Sequence, residues 1–461
     1  MANLRTNPII PHGGLTWKVN RMITQKILLV FLFIAAATPA AHAQIDCNSS
    51  SASNKLSCLI PTTVTPSGYT FSKASPNPLL QNSFGFLTSD IGGEISQIPL
   101  ASPASGIVFI TDPTLHVPVP SDQSLGPILT QRADTIGRHK LYAAMTYQYF
   151  LLEDVDGLGL KGLPTAAFYL NSSATSGTDT IALVNGRIDL KIHQYVGYAT
   201  FGLTDRVDVS VAVPLLRVDM RYTVNEHLYN TNGQSLPLVG SSACSPGPPG
   251  PPCAQTNPLQ NSKPEEATGI GDVILAFKAE PWKAKHAGLA FGAEVRLPTG
   301  DAENFLGSGT VGVKPFVTFT RSGKISPHLN VGYQFNGDTE LVTNSAGQNA
   351  LLPSRLLYSG GADWGVAKRL TFALDVLEQR VINSKRATTQ LNVAPFPSTS
   401  NLTVTSVITS TSGSYNRTDG SIGFKLKPFG NLLITSNLLV KLDKGGLRER
   451  LAPLVGLSYT F

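Results

Sequence analysis

The chain has 461 residues, of which 42% are hydrophobic and only 14% charged, with a formal net charge of +6 at pH 7. That apolar content excludes a largely disordered chain, and no Lys/Arg cluster with interleaved aromatics points to a nucleic-acid partner. After the first 43 residues no apolar run reaches the roughly 18–20 residues a membrane helix needs, so the hydrophobicity is dispersed.

In chain order the first element is a targeting segment. Lys18, Arg21 and Lys26 precede the apolar run Ile27 to Ala37, and Ala41-His42-Ala43 supplies small residues at a cleavage site. This is the pattern of a secretory signal peptide over 1–43, with Gln44 as mature start; Met1 and Met22 both remain possible starts. Cys47 and Cys58, then Cys244 and Cys253, lie as two local pairs. An oxidising compartment predicts two short-loop disulfides, and the CxxC spacing of a zinc site is missing. Residues 44–135 are rich in Ser, Pro, Thr and Asn, which predicts either a periplasmic extension or a plug folded inside a barrel.

From residue 136 on, period-2 alternation of apolar and polar residues predicts antiparallel strands. They read at about 139–152, 187–201, 207–224, 269–281, 287–297, 309–321, 325–335, 355–366, 369–380, 414–427, 431–442 and 450–461. Each approaches the ten or so residues a tilted strand needs to cross a bilayer. Short connections such as 202–206, 282–286 and 322–324 alternate strictly with long ones such as 153–186, 225–268 and 381–413. Outer-membrane barrels have short periplasmic turns and longer outer loops, so the fold class is an all-β, antiparallel transmembrane barrel of about 12 strands with both termini periplasmic. The last run places Val455, Leu457, Tyr459 and Phe461 on one face. It resembles the terminal signal read by the barrel-assembly machinery. The mild basic balance suits contact with outer-membrane lipid and lipopolysaccharide.

The non-apolar register gives candidate lumen residues. On the second strand these are Asp189, Lys191 and His193. On the third they are Asp208 and, past a bulge placed at Pro214, Arg217, Asp219 and Arg221. Further along, Asp272, Glu294, Arg296, Lys314, His328, Asp363, Asp375, Arg417 and Asp419 take the same register. Such a nearly balanced set either ties the strands together by ion pairs or lines a permeation path.

Gly269-Ile270-Gly271-Asp272, Leu297-Pro298-Thr299-Gly300-Asp301, Asn304 with Gly307-Ser308-Gly309, and Asn330-Val331-Gly332-Tyr333 resemble the outer-membrane family linked to the meta-cleavage pathway of phenol degradation. The likeness is strongest over 269–337. It implies a barrel, distantly similar to fatty-acid transporters, that moves small hydrophobic or aromatic compounds. On that reading, loop residues Phe168, Tyr169, Leu236 and Leu238 capture the solute. The alternative is a structural or surface-interaction barrel with a plugged lumen. The motif glycines themselves read as fold determinants, with Asp301 free to make an Asx-type turn. No catalytic, cofactor or metal motif occurs. Gly157 to Gly162 matches GxGxxG but lacks the following helix and parallel sheet, so no enzyme is expected.

Overall fold

The computed structural model describes residues 55–60, 69–71, 87–88, 90–99, 109–111, 118–120, 124–172, 180–230, 259–343, 349–394 and 403–461. All of them belong to one compact unit, Gln44–Phe461. Twelve antiparallel strands close into a barrel: β1 Leu141–Val155, β2 Thr180–Thr204, β3 Val207–Asn230, β4 Val273–Lys283, β5 Ala287–Leu297, β6 Gly312–Arg321, β7 Ile325–Asn336, β8 Ser354–Ala367, β9 Leu370–Ala394, β10 Thr403–Leu426, β11 Leu432–Lys441 and β12 Leu451–Thr460. Each strand pairs with its neighbour, and β12 closes on β1 with Leu457 opposite Met145. All twelve strands read from the alternation are present.

Period-2 geometry sends successive side chains to opposite faces, and the two faces differ in chemistry. Outward lie Phe277, Phe291, Val317, Phe319, Leu329, Leu374, Ile422 and Leu457, all exposed. Inward lie buried polar groups such as Lys278, Thr318, His328, Asp363, Asp375 and Arg417. An apolar outside around a polar inside is the arrangement of a membrane-spanning barrel.

Strands β2, β3, β9 and β10 run 24 or 25 residues, well past the membrane's requirement. Much of the expected long loops is therefore strand. Outside the lipid both faces tolerate polar residues, so Ser- and Thr-rich stretches such as 403–414 carry no alternation to read.

A second departure concerns the bulge. β2 and β3 pair without a register shift through Val196 opposite Pro214. The irregularity sits on the opposing chain. Residues Leu259–Ile270 pair with upper β3, ending with Ile270 opposite Leu215, and β4 resumes with Ile274 opposite Ala212. One extra residue is accommodated at Gly271-Asp272, where the Gly271 amide donates to the Pro214 carbonyl at 2.9 Å.

Two stretches from the N-terminal region contact the inward face. Residues 124–136 touch eight strands near the short-turn end. Ser124 donates to Asp363 at 2.9 Å, the Ala133 amide to Thr320 at 2.9 Å, and the Ile136 amide to Asp208 at 3.1 Å. Lys425 donates to the Pro127 carbonyl at 2.6 Å and Lys278 to the Asp134 carbonyl at 2.7 Å. Towards the loop end residues 90–95 are helical, with Ile91 and Ile95 buried in the apolar core.

Candidate functional site

Between these two stretches the barrel encloses a cavity of about 240 Å3. Ile95 to Pro99 bound it on the loop side and Leu129 to Gln131 on the turn side. The wall from β3 to β6 carries an apolar patch, Ala212, Pro214, Leu216, Ile274, Leu306 and Phe316, with Asp272 and Arg296 among its polar lining. The facing wall carries Asn330, Gln334, Arg355 and Gln379, with the Lys314–Glu294 pair at 2.6 Å beside it. An apolar ring with a polar substituent would find partners for both parts, and area removed from water there is worth roughly 25 cal/mol per Å2.

The ceiling is held by charge. Glu94 accepts from Arg355 at 2.9 Å and from Arg417 at 3.4 Å, and Tyr415 also donates to it. Burial works against its charged form, but Arg355 and Arg417 outweigh burial and hold its pKa below the ordinary value. Asp90, on the same helical face, is pushed well above the ordinary carboxyl value by burial and then by Glu94 and Asp156. The network continues from Arg417 to Glu449 at 3.1 Å and from Arg448 to Asp419 at 2.5 Å.

The floor is held by a second cluster. His328 lies between two carboxylates, Asp363 at 3.2 Å and Asp375 at 2.6 Å, and Thr130 contacts the same imidazole at 2.8 Å. His328 is thus engaged on both ring nitrogens.

The rim beside the cavity explains the glycine-rich motifs. Asp272 turns inward at the bulge and accepts from the Gly300 amide at 3.1 Å and the Ser308 amide at 2.8 Å. Gly300 and Gly307 pack backbone to backbone: a Cβ on Gly300 would lie 2.7 Å from Gly307 Cα. Asp301 accepts from the Asn304 amide at 3.3 Å, capping the turn Ala302–Asn304. Phe305 then packs over Gly92 of the inner helix, where a Cβ would clash at 2.8 Å. The motifs fold one loop inward onto the mouth of the barrel.

Of the candidate lumen residues, Asp208, Asp272, Glu294, Arg296, Lys314, His328, Asp363, Asp375, Arg417 and Asp419 point inward. Asp189, Lys191, His193, Arg217, Asp219 and Arg221 do not. They share the register of exposed Tyr195, Phe201, Val213 and Leu215, while Ile188, Leu190, Val218 and Met220 are buried inside. Two physical reasons reverse them. No bulge at Pro214 flips the third strand, and above the membrane the barrel interior is an apolar core with a solvated outside. There Arg217 pairs with Asp219 at 3.0 Å and Glu266 at 2.8 Å, and Tyr147 bonds His193 at 2.9 Å.

Alternation did not pick out Glu94, Arg355, Tyr415 or Glu449. Arg355 and Tyr415 do carry the signal, since both keep the inward parity of their strands. Glu94 carries none. Cys58 is buried; Cys47, Cys244, Cys253, Leu236 and Leu238 lie outside the described residues, as do the side chains of Phe168 and Tyr169.

Residues 173–367 match the family model described as "Putative MetA-pathway of phenol degradation", which bears out the resemblance carried by the motifs. No curated protein matches in sequence. Among solved structures, an outer membrane channel from Pseudomonas putida F1 is 12% identical, with 71% of this chain and 98% of that chain covered and a TM-score of 0.38. A FadL homologue of Pseudomonas aeruginosa is 11% identical, with 78% and 96% covered and a TM-score of 0.30. The toluene transporter TbuX of Ralstonia pickettii is 11% identical, with 70% and 90% covered and a TM-score of 0.25.

Proposed function

We propose that this protein is a passive outer-membrane transporter for small hydrophobic or aromatic compounds and has no enzymatic role. The observation that carries the reading is the half-apolar cavity inside a membrane-spanning barrel; the family match over 173–367 supports it. In this scheme solute enters from the loop end and partitions onto the wall formed by Leu216, Ile274 and Phe316. It leaves when one of the two inner stretches gives way, since no energy source is needed down a gradient.

The chain divides into a signal peptide at 1–43, a plug at 44–135 and a barrel at 136–461. The hydrogen bonds of residues 124–136 to eight strands support the plug reading over a free extension. With short turns facing the periplasm, both termini are periplasmic. Phe461 ends a strand whose outward face is apolar, which suits recognition by the assembly machinery, and lipopolysaccharide surrounds the loop end. The paired cysteines form disulfides at 47–58 and 244–253.

Uptake by proteoliposomes tests the proposal, using phenolics, alkanes and small ions, for the full chain and for a chain lacking 44–135. Phenolics or alkanes should enter faster than into empty vesicles, and removal of 44–135 should admit small ions as well. If no solute enters faster in either form, transport is abandoned. A second reading, a sealed structural barrel, is favoured by the buried ion pairs holding the plug; flux only after removal of 44–135 would select it.

A further inference from the structure

The short-turn end of the barrel has a charge pattern that solute passage does not use. Four consecutive turns, 282–287, 321–325, 367–370 and 427–431, contain seven Lys or Arg and no Asp or Glu. Lys283 and Lys285 occupy the first, Arg321 and Lys324 the second, Lys368 and Arg369 the third, and Lys427 the fourth. The first six are exposed. An acidic partner from outside these turns is Glu280, 3.1 Å from Lys283.

The four turns form one continuous arc. The Ser322 amide donates to the His286 carbonyl at 2.9 Å, Gly365 to Lys324 at 2.8 Å, and Lys427 to Arg369 at 2.8 Å. Neighbouring turns are two strand spacings apart, about 10 Å. Just inside the arc, on the outward face, stand exposed Trp282, Phe319, Trp364, Phe372 and Phe424. Aromatic side chains of this kind settle at the membrane–water boundary, so the bases beyond them sit at the depth of lipid phosphates. At the loop end acids stand among the bases and pair with several of them, as in Arg187–Asp189, Arg217–Glu266 and Lys263–Glu265.

We propose that this arc is a binding surface for anionic phospholipids of the leaflet around the turn end. It favours a diphosphatidyl lipid, whose two phosphates reach bases on neighbouring turns. Exposed cations at headgroup depth attract anionic lipid one by one, and an arc adds a spacing that a single phosphate cannot exploit. The inference needs only the barrel, whatever the barrel carries.

The test is native mass spectrometry of the full chain in detergent with an equimolar mixture of phosphatidylcholine, phosphatidylglycerol and diphosphatidylglycerol. Diphosphatidylglycerol adducts should exceed phosphatidylcholine adducts at least tenfold. The combined variant Lys285→Gln, Arg321→Gln, Lys324→Gln, Lys368→Gln, Arg369→Gln should bring the ratio near one, with its gel shift on heating and solute uptake retained. If it fails to fold, Lys368→Gln with Arg369→Gln alone should lower the ratio several-fold. Neutralising Lys263, Arg380 and Lys385 at the loop end should change nothing. A ratio kept by the arc variants, lost equally in the loop-end variant, or abolished by millimolar inorganic phosphate overturns the proposal.

Discussion

Glu94 is the carboxylate on which interior donors converge, since the Arg355 and Arg417 guanidinium groups and the Tyr415 hydroxyl all reach it. Arg417 keeps Glu449, but Arg355 loses the carboxylate it pairs with, and breaking a buried pair in this way costs about 3–5 kcal/mol. Glu94→Gln should therefore release the ceiling of the cavity, and vesicles carrying it should leak small ions that the unaltered chain excludes; tight vesicles would count against this role. Its neighbour Asp90 behaves oppositely. With its folded pKa raised by burial and then by Glu94 and Asp156, it holds its proton to higher pH in the folded chain than in the unfolded one. The unfolded carboxyl, with a pKa of about 3.9, loses it, so the stability cost grows as pH rises above about 4 until the folded pKa is passed. Asp90→Asn removes that cost. Its heat-shift temperature on gels should match the unaltered chain near pH 4 and exceed it at pH 7. An equal gain at both pH values would mean that charge is not the cause. Neither acid was legible in the sequence, because a carboxylate in a Ser/Pro-rich stretch looks solvated until its arginine partners, more than 250 residues away, are known.

At the scale of elements, the loop 298–308 depends on one strand irregularity. The extra residue at Gly271-Asp272 turns the carboxylate inward, and it collects two amides and the Ser308 hydroxyl. Hydrogen bonds to a charged group are worth about 1.5–3 kcal/mol each, so Asp272→Ala should free the loop while leaving the barrel intact. Limited proteolysis reads this directly, with cleavage expected within 298–308; resistance equal to that of the unaltered chain would argue that Gly300–Gly307 packing suffices. A second element-level dependence is the Gly292–Phe316 pair, directly opposite in register. A Cβ on Gly292 would come within 2.2 Å of the Phe316 ring. Overpacking of this kind costs about 1–3 kcal/mol, and Gly292→Ala should push the ring into the cavity and slow aromatic uptake. Uptake unchanged from that of the unaltered chain would mean that Phe316 does not border the path. The glycines of these motifs were legible as fold determinants, and Asp301 as a turn former, because both readings need only local geometry. The bulge was misplaced at Pro214. Proline marks a missing ladder donor on its own strand, whereas the extra residue lies across the ladder at Gly271-Asp272, which only the pairing reveals.

For the whole molecule, the boundary between lipid and water decides what an outward residue costs. Strand count, parity of connections and inward register from β4 onward were readable because the bilayer enforces alternation wherever a strand crosses it. Above the bilayer that rule inverts: Ile188, Ile192 and Val218 are buried inside, while Lys191 and Arg217 face out. The crossing from one regime to the other on β2 lies near Tyr195, which packs at a tilt against Tyr147, 4.9 Å between ring centres, and aromatics of this type gather at the membrane–water boundary. This places two outward positions in different solvents. Leu374 on β9 is exposed between Phe372 and Val376 in the apolar band, so Leu374→Arg should cost about 2–4 kcal/mol. Asp219 on β3 is outward above the band, where Asp219→Leu removes solvated contacts with Arg217 and His193, each worth under about 1 kcal/mol. Urea titration of both variants in lipid vesicles separates the two, since both side chains leave the barrel outward but into different solvents. A loss for Asp219→Leu as large as that for Leu374→Arg would move the membrane boundary above residue 219, and with it would restore the outward charges of β2 and β3 as a membrane-embedded network.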